Sequence, residues 1–326
     1  MRVVVTGASG FVGGAVARGL VADGHEVWTS SRRDPHVRGA RHLAWDLTTG
    51  PLADPPTVDA VVHAGAAVSD WCALDVARAT NVGGTLAVRA TFPGARFVHV
   101  SSGSVYDPFR PSVRAREHEA PVERYLDAYG TTKAEAERVL AHDVARHPDR
   151  GAVVVLRPHA VYGPGDTTLL PRVEAAVRRG CLVLPGGGRV LQSLTHVDTL
   201  LAAVRAAVVL PDDTARAQVG DGPTRGLLVV NVADAGPVVL RDALVDALRR
   251  RGTDVRVVAV PVRPAWALAG AVETVARRLR RPEPPRLTRY ALSHLAMERT
   301  FDLTVLRDVL GVEPAPTSFA WLGLAE

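Results

Sequence analysis

Arg2-Val3-Val4-Val5-Thr6-Gly7-Ala8-Ser9-Gly10-Phe11-Val12-Gly13-Gly14 decides the fold of this chain. Residues 2–6 are apolar enough for a parallel strand buried on both faces, and the run from Phe11 to about Asp23 has the periodicity of an amphipathic helix. A strand, a Gly-rich turn and a helix together make a phosphate cradle. The glycines let the backbone approach closely, and the helix N-terminus turns free N–H groups toward the anion. Gly7, Gly10 and Gly13 are not spaced as the G-x-G-x-x-G fingerprint of dinucleotide sites, so the weight lies on their place between strand and helix. The candidate cofactor contacts here are Gly7, Ser9, Gly10, Phe11, Val12 and Gly13.

Further strands follow at 26–30, 41–45, 58–62, 96–100 and 152–156, with helical patterns at 73–92 and 126–147 between them. Alternation of this kind predicts a doubly wound parallel sheet, with ligands at the carboxyl ends of its strands. The second strand runs into Ser30-Ser31-Arg32-Arg33, where an NAD site usually places a carboxylate for the ribose hydroxyls. A guanidinium there can chelate a 2′-phosphate, so Ser31, Arg32 and Arg33 point to NADP rather than NAD. The third strand ends at Asp46-Leu47 and the fourth at His63-Ala64-Gly65-Ala66-Ala67, small residues against which a cofactor can lie. His63 has no carboxylate or nucleophile beside it in sequence and reads as a packed side chain. The fifth strand ends in Ser101-Ser102-Gly103-Ser104-Val105-Tyr106, a run of hydroxyls where a ligand would sit.

Lys133, in Tyr129-Gly130-Thr131-Thr132-Lys133, is the single lysine among 39 basic residues; every other one is arginine. A position that keeps Lys in such a chain is one where the planar Arg fork does not serve. Four residues apart on a helix, Tyr129 and Lys133 share a face. A free phenol titrates near ~10, and a neighbouring cation in a poorly solvated cleft can move it toward ~7, about 4 kcal/mol of differential interaction. The spacing alone is common and carries the argument only together with the cradle.

The second half gives helical patterns at 168–179, 197–209 and 240–251 and strands at 182–188, 227–232 and 255–260. Residues 264–281 end in Arg277-Arg278-Leu279-Arg280-Arg281; they read as a helix capped by cations rather than a membrane-surface helix, because the apolar part is short and Glu273 interrupts it. The chain of 326 residues is 47% apolar, without a run long enough to span a bilayer, and Met1-Arg2 lead straight into the first strand, so a cytoplasmic protein with no cleaved leader is expected. Cys72 and Cys181 offer neither a disulfide framework nor metal-ligand spacing, so no metal is expected. A net charge of +5 comes from scattered arginines, which argues for an anionic small-molecule cofactor and against nucleic acid.

The ordered segments TGASGFVG (6–13), DL (46–47), HAGAA (63–67), NVGGT (81–85), SSGSVY (101–106), YGTTK (129–133) and RPHAVYGPGD (157–166) resemble an extended short-chain dehydrogenase/reductase. The closing stretch from Pro285 to Gly311 is loosely similar to the 3β-hydroxysteroid dehydrogenase-like and dihydroflavonol reductase-like branch. The resemblance implies a Rossmann-type α/β domain over 1–166, with later sheet elements returning near 190–235, and a smaller substrate-binding region formed by 167–189 and 236–326. It implies that Gly7, Gly10 and Gly13 hold the pyrophosphate, Asp46 and Leu47 the adenine, and Ala64, Gly65, Ala66, Asn81, Pro158 and Val161 further parts of the cofactor. Ser102 would polarise the substrate oxygen and Tyr129 transfer its proton. Lys133 would bind the nicotinamide ribose and lower the Tyr129 pKa. Ser104, Tyr106, His159 and Gln192 are the candidate substrate contacts, and a homodimer through the helices near 73–92 and 126–147 is expected.

Three activities fit such a chain. The first is an NADP-dependent transfer of hydride to or from a small, largely uncharged carbonyl or secondary alcohol. The second is a nucleotide-sugar epimerase or dehydratase, and the third a non-catalytic NADP-binding regulator. A regulator has no need of the Ser102, Tyr129 and Lys133 set. A dehydratase resembling this chain would carry Asp-Glu where Gly103 and Ser104 stand. An epimerase would carry Asn at Ala160 and a diphosphate-binding Arg at Gln192. The first activity is therefore the expectation.

Overall fold

Six buried runs, mostly rich in apolar residues, assemble into one parallel sheet because both of their faces are covered, and the half-exposed run Arg41–Ala44 forms one edge. The computed structural model describes residues 1–69, 71–217, 224–279, 281, 283–285 and 287–323. β1 (Arg2–Thr6) leads through the glycine turn into α1 (Phe11–Ala22), then β2 (Glu26–Ser31), β3 (Arg41–Ala44) and β4 (Ala60–His63). A helical path through α2 (Leu74–Arg78), a π turn (Ala79–Gly83) and α3 (Gly84–Thr91) reaches β5 (Arg96–Val100). β6 (Ser112–Ala115), the long α4 (Ala128–Arg146), β7 (Val153–Pro158) and β8 (Val161–Tyr162) follow.

The second half runs α5 (Leu169–Ala176), β9 (Cys181–Pro185), β10 (Leu191–Gln192), β11 (Thr195–His196), α6 (Val197–Val209), α7 (Asp212–Ala217) and β12 (Leu228–Val232). It continues through β13 (Val238–Val239), α8 (Leu240–Arg250), β14 (Arg256–Val260), α9 (Val262–Arg278), α10 (Arg289–Ala296), β15 (Arg299–Phe301) and α11 (Thr304–Asp308).

The main sheet has the order β12-β7-β5-β4-β1-β2-β3, all pairs parallel. The chain builds outward from β1 in one direction and then, from β4, in the other. The crevice of a doubly wound fold therefore opens between the carboxyl ends of β1 and β4. Alternate residues of each strand feed opposite layers. Val3 and Val5 pack with Val16 and Leu20 of α1 and Leu200 and Val204 of α6. Val4, Val61 and Phe97 pack with Val88 of α3 and Leu140 of α4. Truncating a wholly buried side chain such as Leu140 to Ala would cost about 2–5 kcal/mol.

All seven strands expected for the sheet are present, two with the expected bounds and the others with ends shifted by one or two residues. The helix expected over 73–92 is interrupted by the π turn, and the one expected over 168–179 is shorter. The strands expected at 182–188 and 255–260 pair in parallel with each other as β9 and β14, apart from the main sheet. A further sheet, β13-β10-β15-β6, was not legible, since its strands are two to four residues long and come from four distant parts of the chain. One of them, β6, lies within the first 166 residues. No helix among the described residues is long and apolar enough to cross a membrane.

Candidate active site

The glycine turn after β1 and the small-residue turn after β4 meet through bare backbone. Gly7 sits at φ +69°, and a β-carbon there would lie 2.6 Å from both Cα and N of Gly65. A β-carbon on Gly13 would stand 2.3 Å from the Gly7 carbonyl oxygen. Larger residues at 7 or 13 would force the two turns apart. The Gly10 N–H donates to the Gly7 oxygen at 2.9 Å, and α1 starts at Phe11 without a side-chain cap. Its first N–H groups thus face the mouth of the crevice, with Ser9 exposed and Phe11 and Val12 half-buried beside them. These residues fit a dinucleotide pyrophosphate.

At the β2 exit Arg32 and Arg33 are exposed, and the buried Ser31 hydroxyl donates to the Arg33 carbonyl at 2.6 Å, fixing the turn. Asp46 accepts from Thr48 N at 3.0 Å and Thr48 Oγ1 at 2.8 Å; these bonds lower its pKa, with a smaller contribution from Arg32. Leu47 fills the space above Gly65 and Gly84. Ala64 and Ala66 remain partly exposed on either side of Gly65. Asn81, in the π turn, is buried. Its Oδ1 accepts from Ala67 N at 2.7 Å and its Nδ2 donates to Ala67 O at 3.2 Å and Thr132 Oγ1 at 2.8 Å. Asn81 thereby ties the turn after β4 to α4.

Ser102 caps the short 3-10 turn Gly103–Val105 at the end of β5. Tyr129 stands in the first turn of α4, near enough for the Ser102 hydroxyl to influence its pKa, and Asp127 caps that helix by accepting from Gly130 N at 2.9 Å. Burial pushes the Tyr129 hydroxyl up to about 12; Ser102 pulls it down and Asp127 pushes it further up. The downward pull expected from Lys133 is not among these influences. The buried Lys133 ammonium instead donates to the Val100 carbonyl at 2.6 Å, and burial lowers it to about 8 against an upward pull from Glu137. Withdrawal from water thus sets the Tyr129 pKa, not the cation. Glu137, one turn beyond Lys133, accepts from Ser101 Oγ at 2.5 Å and is held by Arg157, both side chains fully buried. Of the neighbouring serines, Ser101 is engaged by Glu137, while the Ser102 hydroxyl bonds only within its own turn, to Ser104, and faces Tyr129.

Ser104 Oγ accepts from Ser102 Oγ at 3.1 Å and lies 3.2 Å from the Tyr290 hydroxyl. The Tyr290 ring meets His294 edge-on at 4.6 Å, and His294 stacks on His159 at 5.3 Å. His159 is buried. Its Nδ1 lies 2.7 Å from the Ser193 carbonyl, where only a donor fits, so its Nε2 accepts from His294 Nδ1 at 3.2 Å. Burial holds His159 down at about 4 and His294 well below the usual range, which keeps both rings neutral. Tyr106 and Gln192 are not brought to this surface with free polar atoms. The buried Tyr106 hydroxyl donates to Asn231 Oδ1 at 2.7 Å, and Gln192 Nε2 donates to the carbonyls of His294 and Met297, each at 2.8 Å. Pro158 ends β7, Val161 opens β8, and Ala160 between them takes φ +46°, a conformation that a residue with a β-carbon adopts at a cost. His63 is packed, with Thr6 Oγ1 2.7 Å from Nδ1 and Thr85 Oγ1 2.9 Å from Nε2.

Tyr290 and His294 were not singled out in the sequence. They reach the site on α10, far from Ser104 along the chain, and their only local signal is one aromatic turn at positions 290 and 294 of a helix. Among the described residues no group of His, Cys, Asp and Glu side chains is placed to hold a metal ion.

The family model of the NAD dependent epimerase/dehydratase family matches residues 3–220. A 2-alkyl-3-oxoalkanoate reductase of Stenotrophomonas maltophilia is 31% identical over 96% of this chain and 95% of its own length. A 4-hydroxy-2-methyl-3-oxo-4-farnesyl-3,4-dihydroquinoline-1-oxide ketoreductase of Stigmatella aurantiaca is 30% identical over 95% of this chain and 91% of its own. A 3 beta-hydroxysteroid dehydrogenase/Delta 5-->4-isomerase of Mycobacterium tuberculosis is 28% identical over 97% and 87%. Among solved structures, MoeE5 in complex with UDP-glucose and NAD superposes with a TM-score of 0.72 at 24% identity, covering 99% of this chain and 96% of that one, a likeness of fold. Cradle, sheet order and sequence kinship agree: the chain belongs to the NAD-dependent epimerase/dehydratase family and is an enzyme of the extended short-chain dehydrogenase/reductase type.

Proposed function

We propose that this enzyme is an NADP-dependent ketoreductase for a small, largely uncharged and apolar carbonyl compound, with Ser102, Tyr129 and Lys133 as its working groups. The observation that carries the reading is the Ser102–Tyr129 hydroxyl pair at the carboxyl edge of the sheet, with Lys133 buried one helical turn on. Gly7, Gly10, Gly13, Asp46, Leu47 and Gly65 would hold the dinucleotide, and Arg32 with Ser31 its 2′-phosphate. Bound there, the reduced nicotinamide supplies the hydride. Ser102 and Tyr129 would hydrogen-bond the substrate oxygen as negative charge grows on it. A Tyr129 hydroxyl at about 12 keeps its proton at neutral pH and serves as the donor that a reduction needs. Lys133, at about 8, remains mostly cationic there and would bind the nicotinamide ribose.

The substrate side, formed by Ser104, Tyr290, His159 and His294, carries neutral rings and hydroxyls. That surface suits an apolar ketone, and the names of two relatives refer to oxo compounds bearing alkyl or farnesyl groups. The nucleotide-sugar epimerase is the second reading, since solved neighbours hold UDP-sugars. It has less support: Gln192 has both donor hydrogens committed to backbone carbonyls and cannot replace a diphosphate-binding Arg. The chain is proposed to work as a cytoplasmic homodimer through α2, α3 and α4.

The deciding experiment follows NADPH absorbance with a panel of alkyl ketones and, in parallel, C4 interconversion of UDP-glucose with NAD. Ketone-dependent oxidation of NADPH is expected. Sugar interconversion without ketone reduction would overturn the reading in favour of the epimerase.

A further inference from the structure

The helix α9 turns its larger apolar side chains outward. Leu268, Val272, Val275 and Leu279 are 57%, 36%, 55% and 62% exposed, at spacings of four, three and four residues that align them on one face. Pro264 and Ala271 lie on the same exposed side. The adjoining face, about a quarter turn round the helix, buries small residues, Ala269 and Ala276, together with Glu273. Glu273 is the sole acid between 262 and 281, and it is taken out of play: Arg289 donates to it through its backbone N at 2.5 Å and its Nε at 2.8 Å. The reading of Glu273 as a break in the apolar face is therefore corrected. It stands on the buried side and leaves the outer stripe continuous.

Cations cover the remaining exposed surface of the helix, Arg278 beside the stripe and Arg263 and Arg277 farther round. Arg263, Arg277, Arg278 and Arg281 are all exposed, with no exposed acid on the helix to offset them. Arg277 lies over the Trp71 ring at 5.2 Å, and Trp71 Nε1 donates to the Arg281 carbonyl at 3.0 Å. Those contacts pin the end of α9 beside a cleft of about 470 Å³ lined by Trp71, Leu74, Tyr125, Asp127 and Thr131. This cleft borders the first turn of α4, which carries Tyr129.

We propose that α9 docks the enzyme on an anionic lipid bilayer, the stripe Leu268-Val272-Val275-Leu279 entering the interface and the exposed Arg278 and Arg263 on its polar side reaching acidic headgroups. An exposed apolar stripe bordered by guanidinium groups and free of acids matches such a surface in both polarity and charge. A helix of 17 residues, ~26 Å long, is long enough to lie along the interface plane. The inference stands on the helix alone and does not depend on the identity of the substrate.

The test is sedimentation of the full chain with vesicles of phosphatidylcholine alone and of phosphatidylcholine mixed with phosphatidylglycerol. The wild type should pellet with the anionic vesicles and stay in solution with the neutral ones. The triple variant Leu268→Gln, Val275→Gln, Leu279→Gln should lose at least tenfold in partition coefficient. Its circular dichroism and melting temperature should be unchanged, because all three side chains are exposed. Arg263→Gln with Arg278→Gln should weaken binding and flatten its salt dependence. Failure of the wild type to bind, or equal binding by the triple variant, would overturn the proposal. So would a sedimentation-velocity shift from oligomer to monomer in the triple variant, which would make the stripe a contact between copies.

Discussion

Lys133 and Val100 are joined by a 2.6 Å hydrogen bond from ammonium to carbonyl, so the lone lysine of the chain is anchored to the strand that delivers Ser102. The bond fixes α4 on the sheet and, with it, the place of Tyr129 opposite Ser102. Arg could not enter the same space without moving the strand, because its planar fork is wider than an ammonium group.

Tyr129→Phe removes only a hydroxyl. It should leave the melting temperature and NADP binding nearly unchanged and lower turnover of a ketone substrate at least ~10²-fold. Lys133→Arg should lose cofactor affinity as well as turnover. Steady-state kinetics with one active ketone, alongside NADPH titration, separate the two effects. Undiminished turnover by Tyr129→Phe would place the chemistry elsewhere.

Arg32→Glu should weaken NADP by roughly ten- to a hundredfold, the loss of a charge-assisted contact of about 1.5–3 kcal/mol, with NAD affected far less. Fluorescence titration of both cofactors against wild type and variant measures this. Equal affinity of the wild type for NAD and NADP contradicts the assignment of Ser31 and Arg32.

Three buried histidines and the half-buried His294 make the fold sensitive to acid. Burial depresses His63 to about 3 and His159 to about 4, and His99 and His294 lie well below the usual range. In the unfolded chain each titrates near ~6.5. Between those values the unfolded state binds protons that the native state refuses, so stability is full above ~6.5 and is lost as the pH falls toward the folded values. Each group contributes up to about 1.4 kcal/mol per pH unit. Urea unfolding midpoints should drop clearly from about pH 7 to about pH 5. A flat profile over that interval would show that these imidazoles are not held neutral.

The proposed dimer places α2, α3 and α4 against a second copy. Val76 and Leu86 are 56% and 41% exposed on this side of the subunit. Leu86→Glu should shift the sedimentation coefficient from dimer to monomer at micromolar concentration while leaving the circular dichroism spectrum intact. A wild-type monomer under the same conditions removes the proposal.

The main sheet, the glycine cradle and the Tyr129–Lys133 pair were legible in the chain because their signals are local. A Val-rich strand, a turn that only glycine can take and a helical spacing of four are each written within about twenty residues. The placement of Ser102 beside Tyr129 follows from strand order, since β5 ends and α4 begins at the same edge. Other features depend on contacts between segments far apart. Tyr290 and His294 reach Ser104 and His159 across more than a hundred residues, and Tyr106 and Gln192 are drawn into internal hydrogen bonds instead. The Tyr129 pKa is likewise a tertiary quantity, set by how far the phenol is withdrawn from water. Helix α9 shows the division between the two levels. Its sequence determines two faces, one with Leu268, Val275 and Leu279 and one with Ala269, Glu273 and Ala276. Only the packing of α10 and the Arg289 partner of Glu273 decide that the small residues go inward and the leucines face outward. Periodicity orients side chains about a helix axis, whereas burial depends on which neighbour supplies a matching surface and a counter-charge.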